Sequence, residues 1–201
     1  MNNFATFWQR LAASGIDRLV FLPLLLLQVK VGSASKSAAL ALAIPWVGLR
    51  LGYSIYGHGR FGKTIGKWVM GIRVARLTGE RIGWREAWLR SSVEVLLATV
   101  GVVGWVIALA STADAEYYHV EFSRQLDNVS THNPFWAVWA RELDNWWFWS
   151  EIVTMLFNKK RRALHDFIAA TIVVSDRSAP NPIPTAAEQA VADDPAAGKS
   201  E

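Results

Sequence analysis

The chain has no cysteine among its 201 residues. That excludes a disulfide framework and any thiolate metal site. Charge is scarce as well: charged side chains make up 19% of the chain and hydrophobic ones 52%, against roughly 25% charged in an ordinary soluble domain. His58, His119, His132 and His165 show no paired metal spacing, and His119-Val120-Glu121 alone is a weak ligand pattern. No serine elbow and no paired-carboxylate arrangement points to hydrolysis. Neither an enzymatic centre nor a cofactor is therefore expected. The formal net charge of +4 does not indicate nucleic acid, because the basic residues flank apolar segments, as topogenic charges do.

Long apolar segments dominate the remainder. Residues 11–29 end in Val20-Phe21-Leu22-Pro23-Leu24-Leu25-Leu26-Leu27 and approach the ~20 residues that a helix needs to cross a bilayer. Asp17 and Arg18 lie inside this segment. On a helix Arg10, Ser14 and Asp17 fall at i, i+4 and i+7, one polar stripe on an apolar rod. A secretory signal peptide is the competing reading, with Gly32-Ser33-Ala34 as its cleavage site, but Asp17 fits poorly beside such a leader. Residues 38–56 form a second span, with Pro45 a kink point and Arg50 near enough to one end to snorkel. Residues 95–113 form a third, free of charge until Asp114, and Gly101, Gly104 and Ala108 offer a small-residue strip for helix packing. Residues 135–157 are long enough for a fourth, yet carry Arg141, Glu142, Asp144, Glu151 and five of the eleven tryptophans. An interfacial helix followed by a re-entrant piece is the alternative there.

Charge sets the orientation. Residues 57–90 hold Arg60, Lys63, Lys67, Arg73, Arg76, Arg81, Arg85 and Arg90 against Glu80 and Glu86. Residues 113–133 hold Asp114, Glu116, Glu121 and Asp127 against Arg124. Lys159-Lys160-Arg161-Arg162 follows the fourth segment. The positive-inside rule then places both termini and the 57–90 loop in the cytoplasm, and the even number of crossings favours a fourth span. Lys30 and Lys36 in the first outer turn run against that rule. The expectation is an all-α integral membrane protein: a bundle of about four transmembrane helices over residues 8–175, with a small cytoplasmic β element. Within the basic loop Gly71-Ile72-Arg73-Val74-Ala75-Arg76 reads as a strand, followed by a turn at Leu77-Thr78-Gly79-Glu80 and by Arg81-Ile82. Thr171-Ile172-Val173-Val174 is its expected partner. Residues 176–201, rich in Pro, Ala and acidic residues, read as a disordered cytoplasmic tail.

Gly57-His58-Gly59-Arg60-Phe61-Gly62-Lys63-Thr64 fits the phosphate-binding pattern G-x-x-x-x-G-K-[ST]. Its context argues against a nucleotide site. It follows a membrane segment instead of a buried strand, and no strand ending in Asp comes after it to hold a metal. A glycine-rich, basic loop at a membrane exit is the plainer reading.

Three stretches together resemble the RDD family of multi-pass membrane proteins. They are Arg10-Leu-Ala-Ala-Ser-Gly-Ile-Asp17; Gly62-Lys-Thr-Ile-Gly-Lys-Trp-Val-Met-Gly-Ile-Arg-Val74 with Gly79 and Ala87-Trp-Leu-Arg90; and Arg161-Arg-Ala-Leu-His-Asp-Phe-Ile-Ala-Ala-Thr-Ile-Val-Val174. The resemblance implies a bacterial inner-membrane protein whose name-giving Arg and two Asp are Arg10, Asp17 and Asp166. It also implies transport, cation/proton antiport for some members. Residues 114–157 look like an insertion relative to that pattern, and Ala169-Ala170-Thr171 stands where Ala-Gly-Thr is commoner. A binding site of Arg10, Ser14, Asp17 and Asp166, with Glu151 contributing, would load a proton or monovalent cation. The plain alternative is a set of obligatory salt bridges, Asp17 with Arg10 or Arg18 and Asp166 with Arg161, Arg162 or an arginine of the 73–90 loop, in a scaffold that docks a cytoplasmic partner. The partners expected are the bilayer, a monovalent cation or proton, and a second copy or another membrane protein.

Overall fold

The computed structural model describes residues 4–158 and 160–176. Apart from Asp176, the expected tail lies outside the described residues. Helix α1, Phe7–Ala34, begins at a reciprocal cap: Thr6 Oγ1 accepts from Gln9 N at 3.2 Å and Gln9 Oε1 accepts from Thr6 N at 2.8 Å. It is longer than the apolar run because the capping box adds a turn before Arg10. Helix α2, Lys36–Tyr56, follows after Ser35 alone, so the expected turn at Lys30–Lys36 is compressed to one residue. Ser35 Oγ accepts from Ala38 N at 3.3 Å. A single π-helical turn, Gly57–Phe61, leads α2 into helix α3, Ile65–Val69. Strand β1, Ile72–Arg76, and helix α4, Trp84–Ser111, come next. Helices α5, Asp114–Tyr117, and α6, Phe122–Thr131, precede helix α7, Phe135–Phe157. Helix α8, Leu164–Ile168, and strand β2, Thr171–Ser175, complete the described chain.

Three helical stretches are long and apolar enough to cross a membrane: Phe7–Ala34, Lys36–Phe61 and Trp84–Ser111. Helix α7 is continuous over the expected 135–157 and has no re-entrant break, but its charges keep it out of that set. The long helices form an open arc, α1 on α2, α2 on α4 and α4 on α7. Of the expected small-residue strip, Gly104 receives α7, because a Cβ there would lie 2.1 Å from that of Ala137. Ala108 is fully buried, whereas Gly101 has nothing within 4 Å.

The expected sheet forms. Strands β1 and β2 pair antiparallel, Ile72 with Ser175 through Arg76 with Thr171, and Ala75 bridges to Arg81 across the expected turn. The segment before α1 joins the same sheet, since Ala5 N donates to Val173 O at 2.9 Å. Ala5, Ala13, Ile72, Val74, Ile82 and Val173 form the core beneath it. Trp68, Trp84 and Trp88 project outward at this end, 66%, 49% and 54% exposed, in the manner of an interfacial aromatic belt.

The opposite end departs from expectation. Residues 113–133 are not an open loop. Helices α5 and α6 fold over the α1–α2 turn, where Tyr117 Oη donates to Gly32 O at 2.6 Å and Gln125 Nε2 to Ser33 O at 3.1 Å. Lys36, which strains the charge rule, sits where α4 ends. Its ammonium donates to Thr112 O and lies 3.3 Å from Asp114 Oδ1, favourable at a helix C-terminus.

Candidate functional site

The polar stripe on α1 divides between two separate constellations. Asp17 belongs to the first. Its Oδ1 accepts from Tyr53 Oη at 2.6 Å and from Gly66 N at 2.7 Å, and its Oδ2 accepts from Thr64 Oγ1 at 2.6 Å. Tyr53 Oη in turn accepts from Ile65 N at 2.9 Å. The first backbone N–H groups of α3 are thus satisfied by side chains of α1 and α2, because Thr64 gives no side-chain cap of its own. This close approach requires Gly66, where a Cβ would lie 2.0 Å from Ala13 O. Among the described residues no cation lies within ion-pair distance of Asp17, so neither expected partner, Arg10 or Arg18, pairs with it. The Arg18 guanidinium instead stands 5.1 Å from the centre of the Phe148 ring. Ser14 is exposed and makes no side-chain hydrogen bond among the described residues.

Asp166 centres the second constellation and is completely buried. Arg10 Nη2 donates to its Oδ2 at 2.6 Å, and Arg90 Nη1 donates to its Oδ1. Ala163 N adds a hydrogen bond at 3.0 Å. Burial pushes this carboxyl up, but the guanidinium groups of Arg90 and Arg10 outweigh burial and hold it well below the usual carboxylate range. Arg10 also reaches Arg161 O, and Arg162 Nη2 donates to Asp166 O at 2.8 Å. One carboxylate therefore ties α1, α4 and α8 together. Of the pairings expected for Asp166, an arginine of the 73–90 loop is the one realised side chain to side chain, and it is Arg90. Arg161 contributes its backbone carbonyl to Arg10, and the Arg162 guanidinium donates to the backbone carbonyl of Asp166 instead of to its carboxylate.

Between α1 and α7, and floored by α2 and α4, lies a cavity of about 590 Å³. Ser14 and Asp17 line it, as do Lys67, Arg90, Glu151 and His165 near the sheet end, while Leu22, Leu25 and Trp46 form an apolar wall. His58, 5% exposed, belongs to this lining. Its Nδ1–H donates to Ser54 O at 2.7 Å, and its buried Nε2 has no partner among the described residues. Lys67, half-buried, makes no ion pair or hydrogen bond among the described residues. Burial, then the Arg90 charge, bring its pKa down to about 8, with Asp17 pulling the other way. It still carries its charge at neutral pH. Glu151 is hydrogen-bonded to His165 Nδ1, and His165 Nε2 lies 3.5 Å from Asp166 Oδ1. Arg50 and Glu94 face each other at 3.5 Å further along.

The cavity brings Ser14, Asp17 and Glu151 together; Arg10 and Asp166 stand behind it in the buried clamp. Tyr53, His58, Lys67, Arg90 and His165 were not among the expected site residues. Lys67, Arg90 and His165 lie within the three stretches that resemble the family pattern, and that was the signal available for them. No metal-holding group of three or more His, Asp or Glu occurs among the described residues. The phosphate-loop pattern is spent on structure: Lys63 Nζ pairs with Asp176 at 2.6 Å and Thr64 with Asp17.

Comparison with curated proteins and with solved structures gives no match. A family model, described as RDD family, matches residues 4–170.

Proposed function

The chain belongs to the RDD family, and on that premise we propose that it is a multi-pass inner-membrane carrier of a proton or monovalent cation, with both termini cytoplasmic. The observation that supports this reading is the cavity of about 590 Å³ at the sheet end of the bundle. Ionisable groups beside apolar spans are costly and mark ion pathways. Two groups in this lining are left over from the fold's own pairing: the Lys67 ammonium makes no ion pair or hydrogen bond among the described residues, and the His58 Nε2 has no partner among them. The Glu151–His165 pair joins the cavity to the α8 clamp, and a carboxylate and an imidazole in contact can share and release a proton. The loading group in this reading is Glu151, while Asp17, Arg10 and Asp166 hold the walls in place.

Flux tests it. Full-length protein is reconstituted in liposomes, and internal pH is followed after Na⁺ or K⁺ is added outside. Wild type is expected to move protons in response to the cation. Glu151→Gln is expected to abolish that movement without loss of helix content, whereas Asp17→Asn lowers flux and melting temperature together. A folded wild type without flux overturns the carrier reading.

A specific feature favours a second reading, a non-catalytic scaffold. Arg60, Arg81 and Arg85 are exposed together at the sheet end, and Arg81 Nη2 donates to Arg60 O at 3.4 Å. That surface suits an acidic cytoplasmic partner. Replacing the three arginines with Gln would release such a partner and leave flux unchanged.

A further inference from the structure

The cavity between α1 and α7 contains a donor that the fold leaves without an acceptor. The acidic side chains at its sheet end are already served: Asp17 accepts three hydrogen bonds, and Glu151 is hydrogen-bonded to His165. Further along, Glu94 faces Arg50 at 3.5 Å. Asp144, two turns from Glu151 on α7, lies about 10 Å further from the sheet end and shares a cleft with Arg18. An ammonium carries three N–H donors and no acceptor. That of Lys67, which lines the cavity, meets no acceptor among the described residues. Burial and the Arg90 charge hold its pKa down to about 8 against the pull of Asp17, so an anionic oxygen arriving beside it is favoured.

Three features define the molecule that would carry this oxygen. The long helices pack in the order α1, α2, α4, α7, and the cavity lies between the two ends of that arc, so its mouth opens sideways toward the bilayer. Polarity falls along it, from Lys67 and Arg90 at the sheet end to Leu22, Leu25 and Trp46 at the other. Depth agrees with that gradient. Trp68, next to Lys67 on α3, is 66% exposed, which sets the ammonium at headgroup level. Leu22 and Leu25 stand about 8 to 12 Å beyond Asp17 along α1, among the lipid tails. The volume, about 590 Å³, is in the ~300–1,000 Å³ range of sites for one small molecule. We infer that the cavity holds one anionic phospholipid, entering between α1 and α7, with its phosphate on Lys67 Nζ and an acyl chain along Leu22, Leu25 and Trp46. A zwitterionic lipid fits worse, because its own cationic group would be brought beside Lys67 and Arg90. This ligand is distinct from the ion of the carrier reading and does not depend on it.

The test is a lipid titration. Full-length protein in dodecyl maltoside receives phosphatidylglycerol, phosphatidylcholine with the same chains, or inorganic phosphate. Bound lipids are counted by native mass spectrometry, and stability is followed by thermal melts. Wild type is expected to retain one phosphatidylglycerol and to melt higher with it, gaining nothing from phosphatidylcholine or inorganic phosphate. Lys67→Met should weaken retention about tenfold, the loss of one hydrogen bond to a charged group, while folding at least as well as wild type without lipid. Lys67→Arg should keep the lipid, and so should Arg85→Gln on the outer surface. Equal gain from phosphatidylcholine overturns the proposal. So does a rise produced in full by inorganic phosphate, which would make this a site for a free anion, or equal retention by Lys67→Met. Glu151→Gln separates the two readings, since it is expected to lose flux and keep the lipid.

Discussion

At the scale of single residues, the two aspartates of the family pattern do different physical work. Asp166 neutralises two buried guanidinium groups, so Asp166→Asn leaves Arg10 and Arg90 buried without a counter-charge. Removing one partner of a buried ion pair costs ~3–5 kcal/mol, and thermal unfolding in detergent is expected to show a loss of that size. Asp17 accepts three uncharged donors instead. Lys67 lines the cavity with no ion pair among the described residues. Its pKa falls from 10.5 to about 8 on folding, so between these values the folded state binds fewer protons than the unfolded one. Stability linked to this group therefore rises with pH through that window. Lys67→Met is expected to melt higher than wild type at neutral pH, and the gap should close as pH rises past about 8 towards 10.5, followed by parallel melts across pH.

At the scale of elements, two glycines set how closely helices approach. Gly66→Ala would drive a Cβ to 2.0 Å from Ala13 O, lifting α3 from α1 and undoing the Asp17 hydrogen bonds. Gly104→Val would push α7 off α4, whereas Gly101→Ala, with open space around it, should be silent. Melting temperatures of the three variants check this contrast. The long spans and both strands were legible because each carries a strong pattern: an apolar run of bilayer length, alternation after Gly71 for β1, and the β-branched run Thr171-Ile172-Val173-Val174 for β2. Residue-to-residue pairing was not legible. The stripe at 10, 14 and 17 correctly placed Arg10 and Asp17 on one helix face, but the partner of Arg10 lies 156 positions away in sequence. Spacing along one helix carries no information about that distance. Helices α5 and α6 were missed because their polar composition resembles an outer loop, while what orders them is tertiary, Tyr117 on Gly32 and Gln125 on Ser33. The role of Gly104, in contrast, was visible as a small residue at helix spacing, though nothing in the sequence distinguished it from Gly101.

At the scale of the whole molecule, the sheet holds both ends of the described chain, with Phe4 bridged to Val174. Both must therefore lie on one side of the membrane. Single cysteines at Thr6 and at Asp176, probed with a membrane-impermeant maleimide in sealed vesicles, are expected to be labelled or protected together. Labelling of one alone would contradict this arrangement. The exposed tryptophans and arginines at the sheet end make that side the one anchored at the headgroups.

The 156-residue separation between Arg10 and Asp166 also has a consequence in time. A ribosome adds ~5–20 residues per second, so roughly 8 to 30 s pass between the synthesis of Arg10 and that of its counter-ion. Throughout that interval the Arg10 guanidinium lacks the Asp166 carboxylate. The buried clamp is thus incomplete until helix α8 has been made. A chain truncated before Asp166 would keep that exposed charge permanently, a ready mark for membrane proteases.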